Sequence, residues 1–132
     1  MARVARIVID LDDTITHHRP GSAYADMLPD PAVVARLREY RSAGFEIVVH
    51  SSRNMRTFAG SVGKINVHTV PVIVSWLDRH DVPCDELIVG KPWCGEDGFY
   101  VDDKAIRPAE FVALSLAEIH ALVGNTPADE AA

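Results

Sequence analysis

Val4-Ala-Arg-Ile-Val-Ile-Asp-Leu-Asp-Asp-Thr14 is the stretch on which the fold turns. Val4 to Ile9 is mostly apolar, rich in β-branched residues, and stopped by an acid. That pattern reads as a buried parallel strand, with Asp10, Asp12, Asp13 and Thr14 gathered just past its carboxyl end. Ligands of open α/β sheets bind beyond the carboxyl ends of the strands, so whatever follows each later strand becomes the place to look for chemistry.

Residues 11–30 read as irregular and polar, with His17-His18-Arg19-Pro20-Gly21 as turn material. Asp30-Pro31 then opens a helix, the acid as cap and the proline at the first helical position. Val33, Val34, Leu37 and Tyr40 share one face of it, and Gly44 is a natural stop. Phe45 to Val49 reads as the second strand. Residues 51–67 read as a long polar connection, of the length that in a compact domain is functional or mobile. A second helix is expected from Thr69 to His80, with Pro71 in its first turn and Ile73, Trp76 and Leu77 inward. Glu86 to Val89 reads as the third strand and Gly98 to Val101 as a fourth. A helical turn follows around Glu110 and Phe111. Ser115 and Glu118 have capping-box spacing for a last helix through Val123, ended by Gly124. Alternation of this kind implies an α/β, Rossmann-like, mostly parallel sheet with flanking helices.

Composition agrees with one soluble domain. The chain has 132 residues, 48% hydrophobic and 24% charged, with 8 Gly and 8 Pro, which excludes a collagen, a coiled coil and a wholly disordered chain. A single domain over residues 1–124 with a fraying tail at 125–132 is expected at this length. The net charge of −6 speaks against a nucleic-acid partner and against a membrane surface held through Lys and Arg. It would also repel an anionic substrate, so attraction must come from local cations or a metal. Two cysteines, Cys84 and Cys94, without a CxxC pattern read as reduced thiols of a cytoplasmic protein. No signal peptide and no apolar run of membrane-spanning length is visible.

The strand ends carry Asp10-Leu-Asp12, Ser51-Ser52-Arg53-Asn54, Gly90-Lys91-Pro92-Trp93 and Asp102-Asp103. Acid, hydroxyl, ammonium and acid together suit phosphoryl transfer. Clustered carboxylates need a hard cation between them, and Mg²⁺ with oxygen ligands fits. A carboxylate can attack phosphorus, while a hydroxyl and a lysine hold the non-bridging oxygens. Gly60-Ser-Val-Gly-Lys64 tempts a P-loop reading, which fails because Phe58 stands where that motif needs glycine.

In this combination the sequence resembles the haloacid dehalogenase superfamily of phosphohydrolases. Asp10, Asp12 and Thr14 match its first motif, Ser51 its second, Lys91 its third, and Asp102 with Asp103 its fourth, in the family's order across about residues 4–119. The stretches 52–57, 89–95 and 98–108 are similar to the small capless phosphatases encoded with capsular polysaccharide genes. The resemblance implies a core without a substantial cap domain, because only a short stretch separates Thr14 from the helix at Pro31. It implies a Mg²⁺-dependent phosphomonoesterase acting through an aspartyl phosphate on Asp10. The substrate expected is a small-molecule phosphate ester, a sugar phosphate or related metabolite of polysaccharide or secondary-metabolite biosynthesis.

Roles follow from that resemblance. Asp10 is the expected nucleophile, Asp12 the general acid and then base, and Lys91 the countercharge. Ser51 is expected to hold the phosphoryl group, with Ser52 as competitor. Asp10, the Asp12 backbone carbonyl, Asp102 and Asp103 are the expected metal ligands, Asp103 through water or by orienting Lys91. Thr14 is expected to shape the turn, and Asp13 has no assigned role. Arg53, Asn54 and Trp93 stand where substrate could be read, as does Arg56, although exposed loop arginines are common and a tryptophan there could equally serve packing. The histidines show no metal spacing: His17 and His18 are assigned to the flap after the first motif, and His50 to packing beside the site. The open site is compatible with a homo-oligomer.

Three rivals share part of this chemistry. A phosphotransferase or mutase would form the same intermediate. A receiver-like phospho-signalling domain has its acidic pair first and its phosphorylated aspartate on a middle strand, where this chain has Ser51-Ser52. A non-catalytic assembly factor would not need every one of these positions filled.

Overall fold

A computed structural model describes residues 3–17 and 19–125. His18 and the tail beyond Asn125 lie outside the described residues. The chain divides into two compact units, Ala5–Trp93 and Cys94–Ala132 with Met1–Val4.

The first unit is built on a three-stranded parallel sheet of order β1-β4-β5. β1 is Arg6–Ile9, β4 is Glu46–Ser51 and β5 is Glu86–Val89. Ile9 pairs with Val49 and Ser51 with Val89, so the three strands end side by side. β1 begins two residues later than the apolar run because the ladder begins at Arg6 opposite Glu46. β4 starts late for a related reason. Phe45 is spent on closing the preceding helix: its N–H donates to the Tyr40 carbonyl at 3.0 Å and its ring meets Tyr40 edge-on at 5.1 Å. At the other end β4 continues through His50 and Ser51, which pair with Ile88 and Val89.

Helix α1, Pro31–Ser42, starts as its sequence dictates. The Asp30 carboxylate accepts the N–H groups of Ala32 and Val33, two of the donors a helix start leaves orphaned. Val33, Val34, Leu37 and Tyr40 form its buried stripe, and Gly44 leaves it at φ 101°. Helix α3, Val70–Arg79, buries Ile73, Trp76 and Leu77. The expected loop over 51–67 is corrected in its second half. Ser61 caps a short helix α2, Val62–His68, by accepting the Lys64 N–H, and Ile65 is fully buried.

Residues 11–30 also hold more structure than their polarity promised. Thr16–His17 (β2) and Leu28–Pro29 (β3) pair as an antiparallel ribbon, and a 3₁₀ turn at Tyr24–Asp26 joins them. α3 holds this flap by its main chain. The Trp76 indole donates to the Met27 carbonyl and Arg79 donates to the Ala25 carbonyl, both at 2.8 Å. Among the described residues there is no cap domain: the flap is all that stands between β1 and α1.

In the second unit the expected strand at Gly98–Val101 is not formed. A Cβ at position 98 would collide with the Cys94 carbonyl oxygen. The segment therefore folds tightly back on Cys94, and only glycine permits it. α4 is Pro108–Ala113. α5, Leu116–Val123, has the expected capping box: Ser115 Oγ accepts the Glu118 N–H at 3.2 Å, and Glu118 accepts the Ser115 N–H at 2.9 Å. Gly124 ends it at φ 75°. Both cysteines are free thiols. Among the described residues no helix is long and apolar enough to cross a membrane.

Candidate active site

The carboxyl ends of β1, β4 and β5 place Asp10, Ser51 and Lys91 along one edge of the sheet. Past β1 the chain turns at once. The Leu11 carbonyl accepts the N–H groups of Thr14, Ile15 and Thr16, the last two at 2.9 and 3.0 Å, while the Leu11 side chain is fully buried. Asp13 takes up the strain at φ 61°, a conformation that short polar side chains tolerate, and its N–H donates to Thr16 Oγ1. The turn anchors both acids that flank Leu11.

Asp10 is held loosely. Thr14 Oγ1 donates to Oδ2 at 3.3 Å, and Lys91 Nζ stands 3.6 Å from Oδ1. Burial pushes the Asp10 carboxyl above the ordinary aspartate range, against the opposing pull of Lys91. The same surroundings push the His50 imidazole down, through burial first and the Lys91 charge second. Lys91 is fixed through its backbone, whose N–H donates to the Ser51 carbonyl at 3.2 Å. It follows Gly90, which sits at φ +85° with Val62 of α2 against it; a Cβ there would meet Val62 Cγ2 at 3.0 Å.

Of the two serines, Ser51 is the buried one, at 1% exposure, and its Oγ accepts the Arg53 N–H at 3.0 Å. Ser52 faces a cavity of about 420 Å³. The walls of this cavity begin at Asp12 and Asp13, pass Ser22, Tyr24 and Met27 of the flap, and include Arg53, Asn54 and Trp93. Asp10, Ser51 and Lys91 are not among its lining residues.

Arg53 is the dominant cation of the cavity. Its Nε and Nη2 donate to the two Asp12 oxygens at 3.1 and 2.7 Å, a bidentate pair in which the Arg53 side chain is 1% exposed. Its guanidinium lies over the Tyr24 ring at 4.1 Å. Its Nη1 is buried with no hydrogen-bond partner. Asn54 also lines the cavity, at φ 63°, with its amide engaged: Thr69 donates to Oδ1 at 2.7 Å, and Nδ2 donates to Thr57. Arg56 stacks on Trp93 at 5.5 Å. Tyr24, Ser22 and Thr57 were not legible as wall residues, because the flap that carries the first two is formed by a ribbon of only two residues per strand.

Asp102 and Asp103 belong to the second unit and lie exposed in a turn there. The Asp102 carboxylate accepts the Lys104 N–H at 2.9 Å, and this hydrogen bond holds its pKa below the ordinary range. Among the described residues no group of three or more His, Cys, Asp and Glu side chains stands ready to hold a metal. The Asp10 carboxylate fits a hard divalent cation by its chemistry: a half-buried oxygen donor whose contacts to Thr14 and Lys91 are long.

No family model matches the chain, and no curated protein does. A crystal structure of a structural-genomics target from Vibrio cholerae does, at 54% sequence identity and a TM-score of 0.88, covering 92% of this chain and 98% of that one. With over half the residues identical along nearly the whole of both chains, this protein and the Vibrio cholerae protein belong to one family.

Proposed function

We propose that the protein is a Mg²⁺-dependent phosphomonoesterase that works through a phosphorylated Asp10. The observation that carries this is the half-buried Asp10 carboxylate at the end of β1, with Lys91 3.6 Å away and the Asp12–Arg53 pair beside it. In the first step Asp10 attacks phosphorus. The bond from phosphorus to the ester oxygen breaks, and Asp12 donates a proton to that oxygen. In the second step Asp12 takes a proton from water as the water attacks phosphorus. The Asp10–phosphorus bond breaks, releasing inorganic phosphate and restoring the carboxylate. Lys91 offsets the negative charge that Asp10 and the phosphoryl oxygens bring together, and Ser51 donates its hydroxyl proton to one of those oxygens. Within the first unit Asp10 and the Asp12 carbonyl would hold the cation, which when bound would neutralise charge on the transferring group.

The likeness of the four motifs to the haloacid dehalogenase superfamily supports the same chemistry. The substrate class that fits is a small-molecule phosphate ester of sugar or polyol size, since the cavity lies within the volume range of small-ligand sites. A phosphate-release screen over sugar, polyol and nucleotide phosphates tests the reading. Turnover that EDTA abolishes and Mg²⁺ restores is the expected result; phosphate release that Asp10→Asn leaves intact would overturn it.

A further inference from the structure

The cavity starts at Asp12, the residue assigned to protonate the leaving oxygen, and excludes Asp10, Ser51 and Lys91. It is therefore placed to receive the leaving group and not the phosphoryl group. Arg53 sits in its wall with an incomplete set of partners. Two of its three guanidinium nitrogens are spent on Asp12, and the third is buried and unpaired. An unsatisfied buried donor is unfavourable, and natural proteins keep few of them outside functional sites. The pair also restrains Asp12, whose two carboxylate oxygens are both held by the guanidinium. One event resolves both problems: an anion on the ligand engages Arg53 and releases Asp12.

We propose that Arg53 is the receptor for a second anionic group on the leaving-group part of the substrate, a carboxylate or a further phosphate, and that its binding displaces Asp12. Arg53 is then a specificity-determining residue, and the substrates are phosphate esters of acidic or doubly phosphorylated sugars and polyols. The planar fork suits both oxyanions. With a chain net charge of −6, a local cation is needed to draw such a ligand in. The hydroxyls of Ser22 and Ser52 in the same walls suit a polyol body. The release of Asp12 rests on the phosphatase reading; the anion site does not.

The test separates the two. Asp10→Asn protein, which is not expected to turn over, is titrated by calorimetry with gluconate 6-phosphate, glucitol 1,6-bisphosphate and glucitol 6-phosphate. These differ only at the carbon remote from the shared phosphate: carboxylate, second phosphate or neutral hydroxyl. At least one anionic ligand should bind about tenfold or more tightly than the neutral one, which is about 1.4 kcal/mol. Which of the two does so identifies the source of the anion. Adding Arg53→Met should reduce the preference to about onefold. Arg53→Lys, which keeps the charge and loses the fork, should leave a few-fold preference and serves if the methionine variant does not fold. Equal affinities for all three ligands, or a preference that survives loss of Arg53, would overturn the proposal. Hydrolysis by the unaltered protein is scored separately. Preference in binding without phosphate release leaves Arg53 as an anion site and removes the phosphatase reading; release without preference does the reverse.

Discussion

Asp12 and Arg53 stand 41 residues apart in sequence and share a bidentate pair whose arginine is 1% exposed. Removing one member of a buried pair leaves the other charge stranded. Asp12→Ala should therefore lower stability by about 3 kcal/mol, read from the urea midpoint at unchanged slope, as well as slow turnover. Gly90→Ala asks an L side chain to hold φ +85° against Val62, and Lys91 is the next residue. It should cost about 1–2 kcal/mol and lower kcat more than it lowers stability, since the ammonium shifts with the backbone. Lys91→Ala, which deletes the charge outright, should reduce kcat by about 10²–10³ with little change in the unfolding midpoint. At this scale the positions of Asp10, Ser51 and Lys91 at the carboxyl ends of strands were legible, because each follows an apolar run that only a strand explains. The pairing of Arg53 with Asp12 was not, since nothing local joins them; the sequence showed a loop arginine and an acid, not their contact.

Among the elements, α1 and α5 were legible from their caps, Asp30-Pro31 and Ser115 with Glu118, because capping is a local interaction. α2 escaped notice for the opposite reason. It has seven residues and a single buried one, Ile65, and its periodicity is too short to stand out from a polar loop. The flap depends on α3 through the Trp76 indole and the Met27 carbonyl. Trp76→Phe should strand that carbonyl at a cost of about 1–3 kcal/mol, and raise KM more than it lowers kcat, because Met27 and Tyr24 line the cavity. At α5, the N–H of Ser115 and then its hydroxyl hold Glu118 below its ordinary pKa. A carboxylate with a depressed folded pKa contributes stability above its unfolded value and loses it as pH falls through the folded one. The protection of the Ser115 amide, measured against the free-peptide exchange rate at the same pH, should therefore fall as the pH drops below the ordinary glutamate range, and Glu118→Gln should remove that change.

On the scale of the whole chain, the parallel α/β class was readable from the alternation of strand and helix, and the sheet order β1-β4-β5 puts the three strand ends together. The fourth strand was not a sound inference from Gly98–Val101, because a short apolar run carries no information about a ladder partner, and the chain there folds back on Cys94. The central claim is a covalent one, that the Asp10 side chain carries the phosphoryl group between two displacements. Mixing the protein with a turned-over phosphate ester, quenching in acid within one turnover and locating the phosphate by peptide mass spectrometry tests it most directly. The account predicts an acid-stable, hydroxylamine-labile phosphoryl adduct on the peptide bearing Asp10, absent from Asp10→Asn. Continued hydrolysis by Asp10→Asn, or an adduct on any other residue, would contradict it.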